Sequence, residues 1–194
     1  MEKTTELVAA RVHPAVRKLA VCALFAALIA AGGHLRVPIP GNPVPLTLQV
    51  VFVLLAGALL APSTAAASVA LFLLAGLAGA PVFSGSGAGL AYLMGPTGGY
   101  LVGFLLGAAL CSFILRARRD SFALVVVSMA ACVLTIHFFG AARLAIYLGG
   151  DIRLAVRLGI MPFIGMDVLK ILAAAAVVTG TSSLMPKGPA AGTL

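Results

Sequence analysis

An aspartate and a lysine three residues apart interrupt an otherwise apolar run near the end of this sequence. The segment 161–179 reads MPFIGMDVLKILAAAAVVT, and Asp167 and Lys170 are its only charged residues. At this spacing on a helix the two side chains share a face and can reach each other. The carboxylate accepts hydrogen bonds from N–H groups, and the ammonium donates to a carbonyl while neutralising the acid. At membrane depth an ionisable group costs about 3 kcal/mol or more, and by default it faces a cavity or a pathway. The alternative is an ion pair that serves only the helix.

Membrane depth has to be argued, and composition argues it. The 194 residues are 62% hydrophobic and 9% charged, whereas soluble domains carry about a quarter charged residues. A soluble protein this apolar would have no surface left to keep it dissolved. The length suits one domain of six short membrane helices, each needing roughly 20 apolar residues. Spans are expected at 16–33, 46–60, 63–79, 96–115, 121–139 and 160–179, giving an all-α integral membrane domain over 16–180. Polar tails, 1–15 and 181–194, flank it. The basic start and first apolar run resemble a signal peptide, but the continuing spans favour a retained helix. Cys22, Cys111 and Cys132 lie inside apolar stretches without metal-ligand spacing and read as small core residues.

The net charge of +8 would point to nucleic acid in a soluble protein; here it fits membrane loops. With six spans, Lys3, Arg11, Arg17, Lys18, Arg116, Arg118, Arg119 and Lys187 fall on one side. Arg36, Arg143, Arg153 and Arg157 fall on the other. The bias places both termini in the cytoplasm, at the plasma (inner) membrane. It is softened by a basic loop at 140–159.

Two loops on the opposite, external side are long for so small a protein. The first, 34–46, reads HLRVPIPGNPVPL, and its four prolines forbid a regular helix. The second, 80–95, reads APVFSGSGAGLAYLMG, with glycines that let the chain turn sharply and approach a ligand. Loops of this kind are either lids or flexible connectors.

Enzyme chemistry finds little support. Gly85-Ser86-Gly87-Ala88-Gly89-Leu90 fails the dinucleotide pattern at its last position, and no G-x-x-x-x-G-K-[ST] occurs. ATP-driven work would need another subunit. There is no H-E-x-x-H, no carboxylate pair and no G-x-S-x-G, and no glutamate follows Glu6. His137 reads as a packed or hydrogen-bonded helix residue rather than a ligand.

The runs Pro38-Ile39-Pro40 and Pro43-Val44-Pro45-Leu46-Thr47-Leu48-Gln49 resemble the first signature of the BioY family, biotin-transporter S components of energy-coupling factor (ECF) transporters. So do Gly76-Leu77-Ala78-Gly79-Ala80-Pro81-Val82-Phe83, Gly95-Pro96-Thr97-Gly98-Gly99-Tyr100-Leu101-Val102-Gly103-Phe104, and Pro162-Phe163 with Asp167-x-x-Lys170. One departure stands out. The family commonly has Pro-Gly directly before the Asp, whereas Gly165-Met166 precedes it here.

The resemblance implies an S-component fold of six membrane helices that captures biotin externally, without catalysis or a cofactor. It also implies a transmembrane coupling protein and two ATP-binding-cassette ATPases as partners. Biotin offers ureido N–H donors and a carbonyl for Asp167 and Lys170, an apolar ring system and a carboxylate. Val82, Phe83, Tyr92 and Met94 are expected to cover the rings. Ser84, Ser86 or Arg36 would meet the carboxylate, with Arg36 equally placed as an interfacial anchor. Thr47, Gln49 and Tyr100 complete the expected lining. Ala23, Ala27 and Ala31 form a small-residue stripe suited to close helix packing, either within the bundle or, as the resemblance implies, against the coupling protein. An S component for another small vitamin and a non-transporting channel or scaffold stay open.

Overall fold

In a computed structural model of the chain, describing residues 13–116 and 121–182, six apolar helices pack around one buried core. The tails expected at 1–15 and 181–194 lie almost wholly outside these residues, as do Lys3, Arg11, Arg118, Arg119 and Lys187. Helix α1 (Pro14–His34) begins on a proline, whose ring presets the helical φ and whose missing N–H is no loss there. α2 (Gln49–Leu59) and α3 (Pro62–Leu77) form a tight hairpin through Leu60 and Ala61. α5 (Gly98–Ile114) and α6 (Phe122–Tyr147) make the most extensive helix pair, and α8 (Ile164–Ser182) closes the bundle. α2 is central, packing against α1, α5, α6 and α8. α1, α6 and α8 are long and apolar enough to cross a membrane; α2, α3 and α5 are shorter apolar helices.

The interior is filled by Ile29, Leu54, Phe72, Leu115, Met129 and Leu144, all fully buried, and the three cysteines are buried as well. The outer faces are apolar too: Leu134 and Phe138 are each 69% exposed. Side chains of this kind in contact with water would make a large sticky surface. Against lipid tails they are matched, so the chain is a multi-pass membrane protein.

The ends of the bundle carry what the spans did not foretell. The first proline-rich loop forms a small antiparallel ribbon, β1 (Arg36–Val37) on β2 (Leu46–Thr47), with Arg36 opposite Thr47 and Val37 opposite Leu46. Leu46 and Thr47, expected inside the second span, are therefore strand residues, and the helix starts at Gln49. In the second loop the Phe83 N–H donates to the Gly87 carbonyl across a turn that holds Gly85 and Ser86 at positive φ. α4 (Gly89–Leu93) follows it. The fifth span does not stop at 139 but runs on through Arg143 to Tyr147. Gly149 and Gly150, both at positive φ, then reverse the chain into α7 (Ile152–Gly159). The Asp151 carboxylate accepts the Leu154 N–H at 2.8 Å and caps α7.

The ribbon, α4 and α7 all sit at one end of the bundle, hereafter the site end. At the other end Lys18 Nζ donates to Ser63 Oγ at 3.5 Å, close to the α2–α3 turn.

Candidate ligand-binding site

α8 brings Asp167 and Lys170 to the interior in its first turns, 4% and 6% exposed. Lys170 Nζ donates to Asp167 Oδ1 at 3.1 Å. The second carboxylate oxygen is occupied as well: His137 Nε2, on α6, lies 2.8 Å from Asp167 Oδ2. A carboxylate paired with an ammonium only accepts, so His137 donates through Nε2, and its free nitrogen is Nδ1. The cluster thus draws on two helices. The sequence expectation for His137, a packed or hydrogen-bonded helix residue rather than a ligand, did not include this place beside Asp167.

The displaced glycine has no visible steric task. A Cβ at Gly165 would meet nothing, and Asp167 N donates to the Phe163 carbonyl at 2.8 Å as in any helical first turn. Pro-Gly is not needed to present this carboxylate.

Above the cluster lies an open cavity, with about 580 Å³ of empty space when the solvent at its mouth is included. Of the residues expected at the site, Asp167, Lys170, Thr47, Gln49, Ser84, Tyr92 and Tyr100 line it. His137, Val44, Pro45, Thr97, Phe104 and Phe163 are further wall residues beyond those expected at the site. Tyr100 is fixed by donating its hydroxyl to the Gly159 carbonyl at 2.7 Å. An outer chamber shares Pro45, Ser84, Tyr92 and Thr97 with this cavity and adds Arg36.

Val82, Phe83, Ser86, Met94 and Arg36 do not line the inner cavity. Phe83, expected as a cover for rings, is fully buried between Phe72 and Tyr92, with ring centroids at 5.5 and 5.1 Å. It anchors the loop, and Tyr92 stacked on it is the ring that reaches the cavity. Val82 is half-buried beside Gly33, and Ser86 is exposed at the turn. Met94 is 58% exposed, and its carbonyl accepts from the Arg143 guanidinium. These differences have a common cause: loop residues divide between anchoring, facing inward and facing outward, and composition does not reveal which.

Among the described residues, three buried side-chain atoms have no hydrogen-bond partner: Gln49 Nε2, Ser84 Oγ and His137 Nδ1. All three residues line the one cavity. An unmet buried polar atom costs about 1–3 kcal/mol, and native proteins carry few of them. Their convergence marks a place where a polar ligand completes the bonding.

Ala23, Ala27 and Ala31 are all exposed on the outer face of α1. The stripe is not used for packing within the described bundle.

A polytopic helical membrane protein with one polar cluster walled into an apolar cavity is built to hold a small molecule. The sequence model of the BioY family matches residues 2–187, and the chain belongs to that family. It is 38% identical to the biotin transporter BioY of Thermotoga maritima over 84% of this chain and 94% of that one. A probable biotin transporter BioY of Pyrococcus horikoshii is also 38% identical, over 84% and 93%. The crystal structure of an S-component for biotin from an ECF-type ABC transporter superposes with a TM-score of 0.81 at 28% identity, covering 92% of this chain and 95% of that one.

Proposed function

We propose that this protein is the substrate-binding S component of a biotin importer, a transport subunit and not an enzyme. The observation that carries the reading is the Asp167 carboxylate, held between Lys170 and His137 at the foot of an apolar cavity. A cyclic urea fits such a foot. Its N–H groups find acceptors in Asp167 and in the free His137 Nδ1, and its carbonyl finds a donor in Lys170 or in the unpartnered Gln49 Nε2. Charge-assisted bonds away from water are the stronger ones. Tyr92, Tyr100 and Thr47 flank the ring system. The ligand's carboxylate then points toward the outer chamber, where Ser84 and Arg36 stand, with Ser86, Val82, Phe83 and Met94 shaping the loop that roofs it.

The site end faces outward and both termini face the cytoplasm. The count along the sequence, eight Lys and Arg on the side of the termini against four on the other, supports this orientation. Energy comes from partners: a transmembrane coupling protein and two ATP-binding-cassette ATPases, the coupling protein docking on the exposed Ala23, Ala27 and Ala31 face. Small residues there let a partner helix approach closely in lipid.

Purified protein should bind labelled biotin and leave riboflavin and thiamin unbound. Asp167→Asn should weaken biotin binding about 100-fold, because it exchanges charge-assisted bonds for neutral ones at a desolvated site. Preference for another vitamin would move the chain to a different substrate, and unaltered binding by Asp167→Asn would sink the assignment of the ureido site. His137→Ala should weaken binding roughly 10–100-fold by removing one donor to a charged acceptor. Partial recovery in His137→Gln, read by the same titration, would separate that hydrogen bond from simple packing.

A further inference from the structure

The four arginines of the site end run against the charge rule for membrane loops, and the biotin site takes in only Arg36. Two of the others, Arg153 and Arg157, lie one turn apart on α7 and are exposed. Neither has a carboxylate within ion-pair distance among the described residues. Ala155 and Gly159 are buried on the opposite face, while Ile152 and Leu154 are exposed at its flanks. A short helix with an apolar body and paired arginines suits the plane of a membrane surface.

The neighbouring elements place it there. α6 has no Asp, Glu, Lys or Arg from Phe122 to Ala142, and Arg143 is its first charge. At 1.5 Å per residue its 26 residues span about 39 Å, longer than the ~30 Å hydrocarbon layer. Its last turns therefore reach headgroup level, with Tyr147 exposed as an interfacial aromatic. α7 follows at once, separated only by Leu148, the two glycines and Asp151. Ile146, Met161 and Ile164, which flank it in the sequence, are each at least half exposed.

α7 is also tied to the cavity. Its Leu158 carbonyl accepts from Asn42 Nδ2, in the proline-rich loop, at 2.7 Å. Its Gly159 carbonyl accepts the Tyr100 hydroxyl.

We propose that Arg153 and Arg157 bind the phosphates of anionic phospholipids, and that α7, so docked, braces the loop of Asn42 and the ring of Tyr100 over the cavity. The bracing rests on the biotin-binding reading; the lipid contact does not. The full chain would be compared with an Arg153→Gln/Arg157→Gln variant in phosphatidylcholine nanodiscs with and without phosphatidylglycerol, and phosphatidylglycerol retention through detergent washing would be measured by native mass spectrometry. One arginine near an anionic surface alters partition roughly fivefold, so retention should fall about 30-fold in the double variant. An Arg153→Lys/Arg157→Lys variant should keep most of it. Biotin affinity of the unaltered chain should rise several-fold with phosphatidylglycerol, and that of the double Gln variant should not. Equal retention by the two proteins overturns the lipid contact. Lost retention with unchanged lipid dependence of biotin affinity overturns the bracing. Absence of biotin binding in every lipid counts against the transport reading, and retention still decides the contact.

Discussion

Lys170→Ala is expected to destabilise the bundle by about 3–5 kcal/mol, because it strands a buried carboxylate. Asp167 is 4% exposed, and without Lys170 it keeps only the hydrogen bond from His137. Thermal unfolding in detergent should shift down markedly, and biotin binding should be lost with it. Those two losses alone would not say whether the pair serves structure or ligand. The combination Asp167→Asn/Lys170→Met separates them, since it removes both charges while keeping their approximate volumes. Replacing a buried pair by neutral groups is often neutral for stability or better. The double variant should thus melt near the unaltered protein yet fail to bind biotin. A double variant that still bound biotin tightly would return the pair to a purely structural role.

Gly103→Val should have an effect of similar size through packing. Gly99, Gly103 and Gly107 recur every four residues on α5, where that helix meets α6. A Cβ at Gly99 would enter the Phe139 carbonyl oxygen, at Gly103 the Ile136 backbone, and at Gly107 the Cys132 sulfur and carbonyl. Main-chain atoms cannot step aside as a side chain can. Small residues at this spacing let two helices approach until their backbones touch. Adding a branched side chain would pry α5 from α6 and carry Tyr100 away from His137. Loss of a monodisperse species in size-exclusion chromatography is the expected readout. Gly165→Ala is the matched control, since that position opens on free space. It should fold and bind as the unaltered chain does.

That glycine seam shows how unevenly the sequence discloses the fold. Six apolar stretches are legible because the bilayer demands length and hydrophobicity, and both are properties of contiguous residues. Pairing of helices is a property of faces, and the run Gly99-Tyr100-Leu101-Val102-Gly103 carries it in a period easily passed over. The ribbon of Arg36–Val37 with Leu46–Thr47 was hidden by prolines, which forbid helix but do not forbid two-residue pairing beside them. α7 was hidden by its length, since eight residues give too short a window for periodicity to stand out. α6 runs past 139 with Arg143 inside it, a charge whose guanidinium is met by the Met94 carbonyl.

The site follows the same division. Asp167 and Lys170 were legible because two charges in an apolar run are conspicuous. His137 was not, being thirty residues away in sequence and on another helix. The unmet Gln49 and Ser84 atoms belong with it, for a missing partner exists only in three dimensions. Phe83 went the other way: it is a large aromatic in a binding loop that turns its ring into the core.

The shortness of α2 has a consequence for distance. Its C-terminal end lies level with the Lys18–Ser63 contact, at the bundle's far surface. Its 11 residues rise only about 16 Å from there, against a hydrocarbon layer of ~30 Å. Gln49, which starts the helix and lines the cavity, therefore stands about 16 Å from that far end, inside the bundle. A molecule resting against it lies inside the bundle while still beneath the loops of the site end. What is left for a transport cycle is the thickness of one short helix.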